Sequence, residues 1–326
     1  MDKVFCSYNE LITWKNENIL NYSSDISTIN NFHDAIMREI LKIACKRIKA
    51  VKGELPCRFA WFVMGSAGRS EQGLITDQDH GIIYEWNNEV NKDYFLCLGK
   101  EIADGMNQLG YPYCHGFVMS SNIKWCKSIT EWNNQLSEWI EEDNLETLRN
   151  LHIFLDARVI VGEIDFLKDI KQSVQKYIHK NTQLLVRLLE NVQHFPKGLG
   201  PFGQFIFDIR SGNVKVIDMK KTIYMPYINC IRLLSIKNNI ISTSTLQRMD
   251  LLMEDKQMMS QIVRNKHHFE QLLEIKIRLS KNSPYESRYY IDVKNLKREE
   301  KKMVKQMMKD VIKLYEFVER IIRKRG

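Results

Sequence analysis

The residues whose types and spacing can do chemistry are Asp77 and Asp79, two carboxylates one residue apart, preceded by Gly65-Ser66-Ala67-Gly68-Arg69-Ser70. An apolar run, Phe59 to Met64, leads into the glycine-serine segment, and a second, Gly81 to Tyr84, follows the carboxylates. Both runs are short, β-branched or aromatic, and bounded by Gly, Pro or Asp. They therefore read as two buried strands joined through a short helical turn. Successive side chains on a strand point to opposite faces, so Asp77 and Asp79 share one face, about 6–7 Å apart. At a surface-like dielectric their repulsion is of order 2–4 kcal/mol, and a divalent cation between them removes it. Hard ions such as Mg²⁺ take one or two carboxylates together with substrate phosphates. Mg²⁺ or Mn²⁺ is thus the expected cofactor, with Asp77 and Asp79 as its ligands.

The residues before the aspartates suit phosphate. Gly65 lets the backbone approach a ligand closely, N–H groups from Ser66 onward can cradle phosphate at a helix start, and Arg69 can clamp phosphate oxygens in a fork. Gly65, Ser66, Gly68, Arg69 and Ser70 are the expected nucleotide-binding residues here, and Arg69 with the two aspartates the expected catalytic set. No Gly-Lys-Ser/Thr closes a Walker A loop. Asp77-Gln78-Asp79-His80-Gly81 has its glycine one position early for an EF-hand. What remains is the arrangement that nucleotidyl transfer requires: positioned phosphates and charge neutralisation, with metals at the attacking and leaving oxygens.

The elements that must position these residues can be read around them. Residues 7–20 and 28–50 read as helices, the second with Ile29, Phe32, Ile36, Ile40 and Ile43 on one face and Ser27 or Thr28 as its cap. Residues 91–109 read as a helix ending at Gly110, and 113–119 as a third strand. Residues 125–150 read as a helical connector, and Leu151 to Arg158 as the start of a further helix. Beyond that the pattern is mostly helical, interrupted by a hairpin of residues 202–210 and 214–219 about Ser211-Gly212-Asn213. The expected fold class is α+β: a small α/β domain with a short mixed sheet over residues 1–148, then a mostly helical domain with a β-hairpin over residues 149–326.

Bulk properties narrow the function classes. No apolar run is long enough to span a membrane, and seven scattered cysteines without Cys-x-x-Cys fit a reducing cytoplasm. The formal charge of +8 is largely local, because residues 297–326 hold eleven Lys and Arg against five Asp and Glu. That concentration reads as a solvated helix face rather than a nucleic-acid groove.

Together these residues resemble the nucleotidyltransferase superfamily that includes DNA polymerase β, whose signature is Gly-Ser, a spacer and Asp-x-Asp. More closely, Phe59-Ala60-Trp61, Gly-Ser-Ala-Gly-Arg-Ser-Glu-Gln and Thr76-Asp77-Gln78-Asp79-His80 are similar to bacterial nucleotidyltransferases related to PII uridylyltransferase and glutamine-synthetase adenylyltransferase. Gly116 to Asn122, Phe154 to Arg158, Pro201-Phe202-Gly203 and Val216 to Lys220 extend the likeness into a helical substrate-binding domain. The resemblance implies transfer of AMP or UMP from ATP or UTP to an acceptor, with a protein as the leading candidate. It also implies that Arg158 and Lys220 face the nucleotide across a cleft. Superfamily members usually add a third carboxylate on a later strand, and residues 113–119 contain none. Asp156, Asp218 or His115 are the expected substitutes. If none serves, the alternative is a non-catalytic nucleotide sensor.

Overall fold

The computed structural model describes residues 4–210, 214–280 and 289–324, and the chain divides into two compact units, 1–174 and 175–326. The division falls within one helix, Ile164–Lys180. The boundary expected near 148 falls inside another, Leu145–Phe154, which belongs wholly to the first unit.

The first unit opens with helices α1 (Tyr8–Asn18) and α2 (Ile26–Lys52). Helix α2 buries Ile29, Phe32, Ile36, Ile40 and Ile43 as its periodicity predicts, but its cap is Asp25, whose Oδ1 accepts from Thr28 N at 2.8 Å. Strand β1 (Phe59–Val63) is buried along its whole length, and the turn α3 (Gly65–Gly68) follows it directly. Then come β2 (His80–Tyr84), α4 (Glu89–Gln108), β3 (Cys126–Ser128), α5 (Ile129–Glu142), α6 (Leu145–Phe154), β4 (Arg158–Gly162) and α7 (Ile164–Lys180).

The sheet runs β3-β2-β1-β4. β1 pairs antiparallel with β2 and β4, and β2 pairs parallel with β3, so it is the mixed sheet expected. Two strands differ from the sequence reading. Residues 113–119 form an irregular loop, in which Tyr113, His115 and Phe117 are exposed and Phe117 adopts φ +54°, so no ladder can run through it. The parallel partner of β2 is instead the three-residue β3. Arg158, read as part of a helix, opens β4, where β-branched Val159, Ile160 and Val161 favour extended backbone.

The second unit holds α8 (Thr182–Asn191), α9 (Met225–Lys237), α10 (Thr245–Leu252), α11 (Lys256–Ser280) and α12 (Arg298–Arg323), which pack on one another, and a three-stranded antiparallel sheet. Its strands β5 (Asp208–Arg210) and β6 (Val214–Asp218) form the hairpin expected, with the first strand beginning at 208 rather than 202, and the turn at 211–213 lies outside the described residues. Strand β7 (Tyr290–Asp292) adds a third strand on β6. Along helix α12 the apolar stripe Met303, Met307, Val311, Leu314, Val318 and Ile321 is buried at its four middle positions and half-buried at Met303 and Ile321, with Val304 buried beside it. All seven cysteines are free thiols. Among the described residues no helix is long and apolar enough to cross a membrane.

Candidate active site

The site is built on the end of β1. Gly65 sits in the left-handed region at φ +54°, and a Cβ there would lie 2.1 Å from Asp79 Oδ2. Only glycine both adopts this conformation cheaply and lets the Asp79 carboxylate rest against bare backbone. Gly68 is tight for another reason: a Cβ would meet the Asp156 carbonyl at 2.1 Å. It is a packing glycine beneath the turn rather than a face for ligand. The turn's N–H groups from Gly68 onward are committed to carbonyls: Gly68 to Met64 O, Arg69 to Gly65 O, Ser70 to Ala67 O and Glu71 to Ser66 O. The first amides of a helix have no intrahelical partner, which leaves Ser66 and Ala67 as the amides a phosphate would meet. Ser66 Oγ lies 3.2 Å from Thr76 Oγ1, tying the turn to the far end of the loop. Ser70 is half-buried, with φ +57°.

The 70–79 loop is anchored by polar groups on α2. Asn30 Oδ1 accepts from Gln72 N at 2.9 Å while its Nδ2 donates to Gln72 O at 3.2 Å. His33 Nε2–H donates to Gly73 O at 2.9 Å, and its Nδ1 accepts from Tyr111 Oη at 2.7 Å. Because the carbonyl can only accept, the tautomer follows from the pairing.

Asp77 and Asp79 precede the β2 ladder, yet they already alternate as strand residues. Both are half-buried on one side, while Gln78 and His80 are buried on the other at 1% and 0% exposure. Asp79 is bonded to β1 through its carbonyl, which accepts from Met64 N at 2.8 Å. Its carboxylate accepts from the Cys114 thiol, and burial with that negative neighbour pushes the thiol up to about 12. Gly116 N in turn donates to Cys114 Sγ at 3.3 Å. Cys114 is the residue that sequence reading missed here, since a single scattered cysteine carries no spacing signal.

His80 is held neutral. Complete burial drops its pKa from 6.5 to about 3, so below pH 6.5 the unfolded chain binds a proton that the folded chain refuses. Stability is expected to fall as the pH drops from 6.5 toward 3, with a slope approaching about 1.4 kcal/mol per unit from this one group. Chemical denaturation of the wild type and His80→Gln at pH 7 and pH 5 checks this: the gap between the two should narrow at the lower pH.

The two arginines expected at the nucleotide have other employment. Arg69 is buried at 5% exposure, with Nε 2.8 Å from Glu71 Oε2 and Nη1 2.8 Å from Asp156 Oδ2. Its fork therefore holds two buried carboxylates rather than phosphate. Arg158 grips Asp34 on α2 with both terminal nitrogens at 2.7 Å and donates from Nε and Nη2 to the Ala67 carbonyl at 3.0 and 2.9 Å. It ties α2, β4 and the α3 turn together. Lys220 lies in the second unit, its ammonium 5.3 Å from the Tyr289 ring centroid.

The expected substitutes for a third carboxylate have partners or settings of their own. Asp156 is committed to Arg69, His115 is exposed in a turn, and Asp218 in the second unit accepts from Lys221 N at 3.0 Å. Among the described residues no group of three or more His, Cys, Asp and Glu is arranged to hold a metal. Two half-buried carboxylates two positions apart, Asp79 of them against the Gly65 backbone, are nonetheless a donor set that suits Mg²⁺ or Mn²⁺, since such ions complete their shell with phosphate oxygens and water.

Two family models match the chain. One, described as "Putative nucleotidyltransferase DUF294", covers residues 18–146. The other, described as "Putative nucleotidyltransferase substrate binding domain", covers residues 182–322. The chain belongs to this nucleotidyltransferase family. The first match contains the Gly65–Asp79 segment with the α2 residues that anchor it, and the second lies wholly within the second compact unit. No curated protein matches the chain.

Proposed function

We propose that the chain is a divalent-metal-dependent nucleotidyltransferase that moves AMP or UMP from ATP or UTP to an acceptor, with a protein as the acceptor to test first. The observation that carries the reading is the half-buried Asp79 carboxylate lying against the bare backbone of Gly65, with half-buried Asp77 two positions before it, in a chain of this family. In the reaction an acceptor oxygen forms a bond to the α-phosphorus, the bond from that phosphorus to the β-phosphate oxygen breaks, and pyrophosphate leaves with the electron pair. The acceptor's proton passes to solvent. Mg²⁺ or Mn²⁺ held by the aspartates supplies charge neutralisation at the phosphate oxygens. The chain's own contribution is placement: Gly65 lets the Asp79 carboxylate lie against the backbone, the Ser66 and Ala67 amides are offered to the phosphate, and the α2 clamps fix the loop between them.

A second reading, a nucleotide sensor without catalysis, draws on the pairing of Asp156, an expected substitute for the third carboxylate, with Arg69. Incubating the full chain with each α-labelled nucleoside triphosphate, Mg²⁺ or Mn²⁺ and a lysate separates the two. Label transferred to a macromolecule with stoichiometric pyrophosphate release supports the enzyme. Tight, metal-dependent nucleotide binding without pyrophosphate supports the sensor.

A further inference from the structure

Strand pairing alone does not hold the two aspartates, because they lie outside the β2 ladder. The backbone of their segment makes three bonds to the end of β1 and the loop after α4: Met64 N to Asp79 O at 2.8 Å, Gln78 N to Pro112 O at 3.3 Å and His80 N to Val118 O at 3.1 Å. The face opposite the carboxylates is far more constrained. His80 Nδ1 accepts from Ser120 Oγ at 2.9 Å, from Ser120 N at 3.3 Å and from Trp61 Nε1 at 3.3 Å. A backbone N–H and an indole N–H can only donate, so the ring proton sits on Nε2 and is given to Gln78 Oε1 at 2.8 Å. That bond orients the Gln78 amide, whose Nε2 donates to the carbonyls of Ala103 at 3.1 Å and Tyr111 at 3.0 Å. Each link in the chain from Trp61 and Ser120 to the two carbonyls admits one direction only.

We propose that Gln78 and His80 are positioning residues for the metal site, their linked side chains fixing the strand rotation that sets Asp77 and Asp79 side by side. The proposal rests on the reading of those aspartates as metal ligands. A rotation of this short segment that freed Gln78 or His80 would turn both carboxylates with it, because alternate residues share one backbone. Groups that orient metal ligands from behind commonly change affinity or activity by 10–100-fold when removed.

The test is Mn²⁺ binding to the full-length protein by electron paramagnetic resonance, alongside nucleotide transfer as a function of Mn²⁺ concentration. Gln78→Leu keeps the side chain's volume and removes both ends of its hydrogen bonding. Its Mn²⁺ Kd is expected to rise about tenfold, with the Mn²⁺ concentration for half-maximal transfer rising in parallel. Ser120→Ala removes the shortest bond to His80 Nδ1 and is the milder variant, expected to fold and to weaken Mn²⁺ binding in the same direction. The double variant should bind little worse than Gln78→Leu alone, since both changes break one chain. A merely structural role would lower the unfolding temperature and leave the Mn²⁺ Kd of the folded protein unchanged. An unchanged Kd in both single variants overturns the proposal. The metal reading itself is checked separately: wild-type Mn²⁺ binding that disappears in Asp77→Asn with Asp79→Asn sustains it, and no such binding overturns it whatever the Gln78 variant does.

Discussion

Replacing Asp77 or Asp79 by Asn is expected to lower nucleotide transfer by roughly 10²–10³-fold, the usual loss when one charge-stabilising group is taken from a reaction site. The fold should survive. Asn keeps the shape of Asp, both side chains are only half-buried, and the backbone bond from Met64 N to Asp79 O is untouched. Amides lack the negative charge that draws a divalent ion, so raising the metal concentration should not restore the double variant. The measurement is transfer of α-labelled nucleotide beside a thermal unfolding curve. Transfer at the wild-type rate from the folded double variant would remove these residues from the chemistry.

Arg69→Met should act on stability instead. It strands Glu71 and Asp156, which are 1% and 0% exposed, and removing one partner from a buried ion network typically costs about 3–5 kcal/mol. For a unit of this size that corresponds to a drop of roughly 10 °C in Tm. Mn²⁺ binding by whatever fraction remains folded should be near that of the wild type. A phosphate clamp predicts the reverse, an unshifted Tm with transfer lost, so calorimetry and activity on one variant separate the two roles.

The contrast between these residues shows what could be read before the structure. Gly65, Asp77 and Asp79 were legible because their arrangement is local: a glycine at a strand end and two carboxylates at a period of two need only neighbouring residues. The mixed sheet and the helical second unit were legible for the same reason. Arg69 misled, because the Asp156 that claims it stands 87 residues away, and an arginine beside a glycine-rich turn looks the same whether it faces ligand or core. Arg158 misled likewise, its partner Asp34 being 124 residues distant. Strand β3 is three residues long, too short to show a period, so the apolar residues of 113–119 drew the assignment. Asn30 and His33 have no spacing that marks them in the sequence, yet they are the groups that hold the loop.

Those two residues bear on how portable the motif is. The Gly65–Asp79 segment holds the residues proposed for the chemistry, but its loop carbonyls and amides are satisfied by a helix that precedes it and has no motif of its own. Transplanted onto another sheet, the segment would arrive with three backbone groups unmatched and its aspartates unaligned. The unit that evolution can copy, or an engineer can graft, therefore begins at Asp25, not at the glycine.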